Sequence, residues 1–264
     1  MKYRKITSKA NPHITEIVRL REGRTGVRHN AYLIEGPHLL EMALQSGVPI
    51  MKIFAAGAFI DSEDGGNLLA RTHAEVYEVT EQVLGKMADT ETPQGVVAVV
   101  RHEPVQLDGL PLNENPLLVI VDAIQDPGNL GTIIRTADAA GADAVILLPG
   151  SCDAFKSKTI RATAGSIFTI PVVSASVDTL MNLLSRRAIR LVATTVDARD
   201  TLFESDLRDG IAFAFGNEAR GIGDRLRKAA DLLVSIPIIG RAESLNVATS
   251  AAICLYEAVR QRSG

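Results

Sequence analysis

Three short segments of the chain carry the side chains best suited to chemistry, and each directly follows an apolar run. The segments are DPGNLGTIIRTAD (residues 126–138), FGNEARG (215–221) and GRAESLNVATSAAIC (240–254). Their candidate residues are Asn129, Arg135, Glu218, Ser244 and Asn246. One cation, one anion and three neutral hydrogen-bonding groups can orient a polar substrate and stabilise charge that develops on it. We therefore expect the three segments to meet at one site.

The first segment has the layout of a weak nucleotide-binding loop, with Gly128 and Gly131 ahead of a helical pattern. It lacks the GxGxxG fingerprint, and the chain contains no GxxxxGK[ST] sequence, which argues against a dinucleotide or P-loop site. Arg135 follows Asn129 by six positions, less than two turns along a helix, and we expect both side chains to face the strand ends. Arg135 lies in the apolar run TIIRTA, which favours a functional role for this side chain over that of an ordinary surface arginine.

The other two segments each have a simpler structural explanation. Glu218 could be a solvated carboxylate in an ordinary turn, but the flanking Gly216 and Gly221 suggest a backbone that something approaches closely. Ser244 and Asn246 are both good helix N-caps. We expect one of them to cap the following helix, and a purely capping role for both is less expected.

A regular alternation of apolar strands and helices follows residue 116 and must position these side chains. The predicted strands are 117–122, 144–148, 170–173, 189–194, 211–215 and 232–236, and the predicted helices are 129–140, 156–164, 177–187, 223–229 and 245–262. Continuous apolar strands between helices predict a parallel α/β sheet that is covered on both faces. Ligands on such sheets bind beyond the carboxyl ends of the strands, where all three segments lie.

The first hundred residues predict a separate, smaller α/β domain. Its predicted helices are 11–22, 36–46, 67–73 and 81–88, and its predicted strands are 31–34, 50–55, 76–79 and 95–100. The stretch HEPVQLDGLPLNENP (102–116) has three prolines and no periodicity, which favours a linker over a crossover within one domain. We predict domains at 1–104 and 115–264, joined by a linker at 105–114.

Composition excludes several classes of protein. The chain has 264 residues, 46% of them hydrophobic and 4% aromatic, which predicts a large aliphatic core. Cys152 and Cys254 lie in no CxxC or Cys/His cluster, so we expect neither a disulfide framework nor a metal site. No apolar run reaches the ~18 residues of a membrane span, and the N-terminus lacks the apolar region of a secretory signal. We therefore expect a cytoplasmic protein.

Charge is distributed unevenly along the chain. The net charge of −3 argues against a protein that coats nucleic acid over its whole surface. Residues 1–30 nevertheless carry +6, against −9 for the remainder. This excess can be a phosphate-contacting patch or a solvated N-terminal face, and charge alone does not decide between them.

In order and spacing, the three segments resemble the motifs of the SpoU/TrmH family, RNA 2′-O-ribose methyltransferases of the SPOUT superfamily. The matching sequences are DPGNLGTIIRTADAAGADAVIL, FAFGNEARGIGDRL and VSIPIIGRAESLNVATSAAICLYEAVRQR. The resemblance covers residues 115–262. The segments LIEGPHLLEMAL and TETPQGVVAV resemble the ribosomal-protein-like RNA-binding domain that precedes the catalytic domain in many members.

The resemblance implies a fold, a cofactor and an assembly. The implied fold is a parallel-sheet SPOUT domain that ends in a deep trefoil knot, in a homodimer without a metal or a membrane anchor. S-adenosyl-L-methionine would bind, bent, in the knot, mostly through main-chain groups. The implied cofactor-binding residues are Thr194, Gly216, Asn217, Ile236, Leu245 and Asn246, and the implied catalytic residues are Asn129, Arg135, Glu218, Ser244 and Asn246.

The implied reaction needs help in removing the proton of a ribose 2′-hydroxyl, a very weak acid. Arg135 matches the family's proposed activator, but a guanidinium with a pKa above about 12 is a poor base at neutral pH. We expect Arg135 to clamp phosphate and stabilise the developing alkoxide, with Glu218, Ser244 and Asn246 holding it and the ribose. Ala219 stands where many members have Gly, and its methyl group restricts the turn modestly.

RNA is the partner that the resemblance implies, because DNA lacks the 2′-hydroxyl acceptor. The expected RNA contacts in the N-terminal domain are Arg4, Lys5, Lys9, Arg19, Arg21 and Arg28. The N-terminal extension favours large-subunit (23S) ribosomal RNA as substrate. The alternatives are a tRNA 2′-O-methyltransferase and a non-catalytic RNA-binding or ribosome-assembly protein of the same fold.

Overall fold

The computed structural model describes residues 3–22 and 31–263, which fall into two compact units. The described parts of Met1–Pro104 form the first unit together with Phe155–Phe168. Val105–Ala154 and the described part of Thr169–Gly264 form the second. Within these residues no helix combines the length and apolar character needed to cross a bilayer.

The first unit is built on a mixed five-stranded sheet. Its strands are β1 (Arg4–Ile6), β2 (Ala31–Glu35), β3 (Ile50–Ala56), β4 (Glu75–Val79) and β5 (Val96–Arg101). Its helices before the second unit are α1 (Pro12–Glu22), α2 (Pro37–Gln45), α3 (Gly57–Ile60), α4 (Glu63–Ala70) and α5 (Glu81–Met87). The sheet order is β1-β4-β3-β5-β2, in which β5 pairs antiparallel with both neighbours. The separate α/β unit predicted from the sequence thus has a mixed sheet.

The second unit is built on a seven-stranded sheet. Its strands are β6 (Leu117–Val121), β7 (Ala144–Leu147), β8 (Val172–Ser174), β9 (Arg190–Thr194), β10 (Asp200–Thr201), β11 (Ile211–Phe215) and β12 (Leu232–Ser235). The remaining helices are α6 (Pro127–Ala139), α7 (Ser157–Thr163, which belongs to the first unit), α8 (Val177–Arg186), α9 (Asp224–Ala229) and α10 (Val247–Arg262). Every pair in the order β10-β12-β9-β11-β6-β7-β8 is parallel. The parallel α/β sheet predicted from the sequence is confirmed.

The apolar strands form the centre of the second unit. Every residue of β6 and β11 is buried, and Phe213 and Phe215 are among the largest fully buried side chains. Burial on both faces explains why these strands are continuously apolar rather than alternating. The linker segment 105–114 lies in this unit, where Leu110 packs into the same core.

Several element boundaries differ from the sequence predictions. Helix α10 begins at Val247 rather than at residue 245, because Asn246 is its N-cap. Helix α6 begins at Pro127 rather than at residue 129, because the Asp126 side chain accepts a hydrogen bond from the Asn129 N–H (2.9 Å). An Asp N-cap followed by Pro is a recognisable helix start, so this boundary was available in the sequence.

Two further differences come from weak local signals. Helix α4 spans Glu63–Ala70 instead of 67–73, because Ser62 caps its acidic first turn. The two glycines that follow the acidic residues are typical of a loop, so the sequence pattern does not predict a helix there. Strand β1 was not predicted, since only Ile6 of its three residues is buried and the strand depends on pairing with β4. Strand β10 has two residues and was also not predicted.

Glu257 on α10 gives the second unit a defined acid sensitivity. Its side chain is 7% exposed and accepts hydrogen bonds from Arg260 Nε (2.8 Å) and Nη2 (2.7 Å) and from Gln261 Nε2 (2.7 Å). The Arg260 guanidinium lowers the pKa of Glu257 from 4.5 to about 2. A lowered folded-state pKa stabilises the fold above the unfolded-state pKa, and this stability is lost as the pH falls through the folded value.

We predict that Glu257→Gln removes this pH dependence. The stability advantage of the wild-type chain over the variant should be constant at neutral pH and should shrink as the pH falls from 4.5 toward about 2. Urea unfolding of both chains across that range measures the difference. A constant difference down to the lowest pH would show that Glu257 does not titrate within this window.

Candidate functional site

Four loops meet at one edge of the parallel sheet. Strands β12, β9, β11 and β6 are adjacent and parallel, so their carboxyl ends lie at the same edge. The loops that follow them hold residues 236–246, 195–197, 216–222 and 122–126. The sequence places all three candidate segments at these positions, and the fold brings them together.

A cavity of about 660 Å³ opens between these loops, within the usual size of small-molecule sites. All six residues predicted to bind a cofactor line it: Thr194, Gly216, Asn217, Ile236, Leu245 and Asn246. Glu218 and Ser244 also line it, whereas Asn129 and Arg135 do not. The structure therefore gathers most of the predicted site residues around one space.

The wall formed by the loop before α10 offers unused main-chain groups. From residue 237 to residue 245 the backbone makes no hydrogen bond to another part of the chain that the structure describes. Ile236, Ile238 and Leu245 are partly buried and place apolar side chains along the same wall. Free N–H and C=O groups beside apolar side chains suit a planar heteroaromatic ring with a polar edge.

A chain of hydrogen bonds connects the three candidate segments. Asn246 Nδ2 donates to Asn129 Oδ1 (3.0 Å), and Asn129 Nδ2 donates to Glu218 Oε1 (2.9 Å). Asn246 Oδ1 also accepts from the N–H groups of Ala248 and Thr249, so this residue both caps α10 and reaches the first segment. Ser244 is exposed and does not cap the helix.

Glu218 is held as an anion. Partial burial raises its pKa, but hydrogen bonds from Asn129 and from main-chain N–H groups, including those of Gln125 and Asp126, outweigh burial and lower it overall. The N–H of Gln125 lies 3.4 Å from Oε2, and the N–H of Asp126 lies 3.5 Å from Oε1. Sequence reasoning missed both N–H donors, because main-chain groups leave no residue-type signal.

Arg135 lies on the exposed face of α6, less than two turns along from Asn129. It makes no hydrogen bond or ion pair with any residue in the described ranges, and so none with Glu218, Ser244 or Asn246. The predicted arrangement, in which those three residues hold Arg135, is not present here; Asn129 joins Glu218 to Asn246 instead. The Arg135 guanidinium therefore keeps all of its donors for an external anion.

A second charged group on the cavity rim was not predicted from the sequence. Arg227 Nη2 donates to Asp197 Oδ2 (2.8 Å), and Arg227 Nη1 donates to Thr195 Oγ1 (3.2 Å). Thr195 also hydrogen-bonds Asp197. Hydrogen bonds from Arg227 and Thr195 lower the pKa of Asp197 to about 2. Thr195 and Asp197 follow β9, so the strand-end rule that found the other segments could have found them.

Two of the basic residues predicted to contact RNA are already paired within the first unit. Arg4 Nη1 lies 3.2 Å from Glu75 Oε1, and Lys5 Nζ lies 2.6 Å from Glu78 Oε1. Both pairs join neighbouring strands β1 and β4 at an exposed edge. Each acid reduces the positive field that its partner presents to a phosphate backbone.

The other predicted RNA contacts differ in availability. Arg21 Nη1 donates to the carbonyl oxygens of Lys86 (3.2 Å) and Ala88 (2.5 Å), both of which lie in the same unit. Lys9 and Arg19 are exposed. Arg28 lies outside the described residues. Lys9 and Arg19 are therefore the predicted basic residues whose exposed side chains make no hydrogen bond or ion pair within the described part of the chain.

Comparison with protein families gives two matches that divide the chain. The SpoU rRNA Methylase family matches residues 116–256, and the MRM3-like substrate binding domain matches residues 11–98. The first match contains all three candidate segments, and the second lies within the first unit.

Individual proteins match along nearly the whole chain. The 23S rRNA (guanosine(2553)-2′-O)-methyltransferase RlmP of Bacillus subtilis is 36% identical over 96% of this chain and 98% of its own length. The 23S rRNA (uridine(2479)-2′-O)-methyltransferase of Streptomyces viridochromogenes is 34% identical over 89% of this chain and 84% of its own. The crystal structure of AdoMet-bound rRNA methyltransferase from Sinorhizobium meliloti superposes with a TM-score of 0.88 at 32% identity, covering 98% of each chain.

Proposed function

This chain belongs to the SpoU rRNA methylase family, and on that premise we propose that it transfers a methyl group from S-adenosylmethionine to a ribose 2′-hydroxyl of large-subunit ribosomal RNA. The observation that carries the proposal is the hydrogen-bonded chain of Asn246, Asn129 and Glu218 at the cavity of about 660 Å³. It joins the three candidate segments at the place where a parallel sheet binds its ligand.

The cavity has the chemistry that S-adenosylmethionine requires. Ile236 and Leu245 would flank the adenine, and the unbonded main-chain groups of residues 237–245 would meet its polar edge. The cofactor, when bound, supplies the electrophilic methyl group. Thr194, Gly216 and Asn246 remain the other proposed contacts of the cofactor, and Asn217 lines the same pocket.

Arg135 and the hydrogen-bonded chain divide the work on the RNA. Arg135 has no partner among the described residues, so we assign it to a phosphate next to the reacting ribose and to the charge that develops on the 2′-oxygen. An arginine guanidinium is a poor proton acceptor, so we do not assign the role of base to Arg135. Asn129, held between Glu218 and Asn246, and the exposed Ser244 hydroxyl would orient the ribose.

The N-terminal domain at 1–104 is proposed to grip the RNA, and the match to a substrate binding domain at 11–98 supports this. Lys9 and Arg19 are the described residues of the predicted patch that are exposed and form no ion pair within the described ranges, with Arg28 as a further proposed contact. Arg4, Lys5 and Arg21 contribute less, because each already has a partner within the unit.

Three further features belong to the proposal: a deep trefoil knot in the second unit, a homodimer, and action in the cytoplasm. Helix α10 packs against α6 and β11. This packing places the C-terminal helix beside a central strand of the sheet and supports the proposed knot. Sedimentation of the purified protein tests the homodimer directly. A monomer at micromolar concentration that still methylates RNA would remove the dimer from the proposal.

The activity is tested with RNA from a strain that lacks the protein. Purified 23S rRNA should accept labelled methyl groups from S-adenosylmethionine at one ribose, whereas rRNA from the parent strain and purified tRNA should not. Incorporation into tRNA alone would mean that tRNA, and not 23S rRNA, is the substrate. Failure to bind S-adenosylmethionine in calorimetry would contradict catalysis and favour a non-catalytic RNA-binding role.

We predict that Asn246→Asp separates helix capping from the bridge to Asn129. Asp at this position keeps the acceptor oxygen for the N–H groups of Ala248 and Thr249, so the stability of α10 should change by less than about 0.5 kcal/mol. The Asn129 amide has one donor side and one acceptor side. With carboxylates at both 246 and 218 it can satisfy only one of them.

Methyl transfer by Asn246→Asp should therefore fall by about 10- to 100-fold. Asn246→Ala is the matched control, since it loses the cap as well and should cost about 1 kcal/mol of stability in addition. Turnover rates and urea unfolding separate the two effects. Equal turnover by Asn246→Asp and the wild-type chain would show that the bridge to Asn129 is not needed.

A further inference from the structure

The loop between β11 and α9 is closed on itself by its backbone. Asn217 N–H donates to the Gly221 carbonyl (3.0 Å), and Gly221 N–H donates to the Asn217 carbonyl (2.8 Å). Glu218 projects from this small ring toward Asn129. The position of the Glu218 carboxylate therefore depends on how the ring is anchored to the rest of the unit.

The Asn217 side chain supplies one such anchor. Its Nδ2 donates to the Ala123 carbonyl (2.8 Å), while its Oδ1 accepts from the N–H groups of Ala219 (3.0 Å) and Arg220 (3.1 Å). Main-chain carbonyls only accept and N–H groups only donate, so the amide has a single orientation that satisfies all three contacts. These contacts use one side-chain donor and both acceptor sites of the oxygen.

The anchor point on the other side is itself unusual. Ala123 has φ of 56°, in the left-handed region that non-glycine residues seldom adopt. This turn directs its carbonyl to Asn217, and the following Gln125 and Asp126 then present their N–H groups to Glu218. A backbone strained in this way persists only where surrounding contacts hold it.

We propose that Asn217 is the positioning residue for Glu218, rather than a cofactor contact as its place in the motif implies. It fixes the loop that carries Glu218 to the segment after β6. In this way it sets the lengths of the hydrogen bonds that join Glu218 to Asn129 and Asn129 to Asn246. The inference rests on the proposed function for its kinetic consequences. Its structural consequence, a loop held by the Asn217 amide, does not depend on that function.

Asn217→Asp tests the proposal because it changes one donor into an acceptor. At neutral pH the new carboxylate faces the Ala123 carbonyl without a proton to donate, so turnover should fall by about tenfold or more. The facing carbonyl favours the protonated form of the new acid, whereas the N–H groups of Ala219 and Arg220 favour its charged form. As the pH falls, the protonated acid can donate to Ala123, and the ratio of variant to wild-type turnover should rise, with little change in S-adenosylmethionine affinity.

Asn182→Asp is the matched control, since it makes the same chemical change at an exposed position on α8. The ratio of Asn182→Asp turnover to wild-type turnover should not depend on pH. Amide hydrogen exchange of residues 217–223, measured without cofactor or RNA, gives a readout independent of activity. Exchange in Asn217→Asp should be faster than in wild type at neutral pH and approach it at low pH, once intrinsic rates are corrected.

The outcomes distinguish this inference from the proposed function. A loss confined to S-adenosylmethionine affinity, or unchanged loop exchange, would overturn the positioning role and restore Asn217 as a cofactor contact. Thermal melting at both pH values shows whether a neutral-pH loss is global unfolding, which would also overturn it. A wild-type chain inactive on all RNA would remove the proposed function, while loop exchange would still decide the role of Asn217.

Discussion

Arg135→Ala should slow methyl transfer by about 100- to 1,000-fold, the cost of removing a preorganised charge from a reacting oxygen. Arg135 lies exposed on α6 without a partner among the described residues, so its removal leaves no buried group unpaired. The stability of the protein and its affinity for S-adenosylmethionine should therefore not change. Single-turnover kinetics with saturating cofactor measure the rate of methyl transfer, and calorimetry measures the affinity for S-adenosylmethionine.

Arg135→Lys distinguishes a phosphate clamp from a base. Lysine keeps the charge but loses the paired donors of guanidinium, so a clamp should be partly restored and its rate should not rise steeply with pH. A base should gain activity as the lysine approaches its ordinary pKa of about 10.4. A steep rise to near the wild-type rate at high pH would contradict the clamp. Arg187→Ala, an exposed arginine at the end of α8, is the control and should leave turnover unchanged.

The meeting of the three candidate segments was predictable from the sequence because it follows from a general property of parallel sheets. Glu218 lies 89 positions from Asn129, yet both follow buried strands whose carboxyl ends share an edge. The apolar runs identify the strands, and the polar residues after them identify the site. The same rule also reaches Thr195 and Asp197, which the motif resemblance leaves out.

The partners of individual side chains were not predictable, because they depend on register and loop geometry. Asn129 and Arg135 lie about 120° apart around α6, and it is Asn129 that meets Glu218. Arg4 and Lys5 look free in the sequence, but β1 aligns them with acids more than 70 positions away on β4. No local pattern encodes that alignment.

The sequence order also does not predict which segments belong to the first unit. Helix α7 lies between strands of the second unit in sequence, yet it packs within the first, where Arg161 lies 3.0 Å from Asp89. Phe155 contacts the rings of Tyr32 and His102 in the same unit. Deleting residues 1–104 would uncover these side chains. A test of RNA affinity is therefore better made with point variants of Lys9 and Arg19.

Gly216→Ala should strongly weaken cofactor binding, because the added methyl group would collide with backbone. A Cβ atom at this position would lie 2.2 Å from the Gly221 carbonyl carbon and 2.3 Å from the Ile222 nitrogen. Those neighbours are backbone atoms that cannot rotate away, so the loop that carries Glu218 must move. Overpacking of this kind costs about 1–3 kcal/mol, which corresponds to a fall in affinity of about 5- to 160-fold if the closed loop is needed for binding.

Gly240→Ala is the matched control, because it adds the same methyl group to the loop before α10, where nothing lies within 4 Å of the new Cβ. Calorimetry with S-adenosylmethionine should show near wild-type affinity for Gly240→Ala and a large loss for Gly216→Ala. Urea unfolding should show lower stability for Gly216→Ala alone. Lower stability with normal affinity would mean that the loop relaxes without closing the cavity, and the link between Gly216 and the cofactor would then be wrong. A loss for both glycines would instead mean that the cavity is sensitive to backbone stiffness in either loop, since a Cβ clash exists at only one of them.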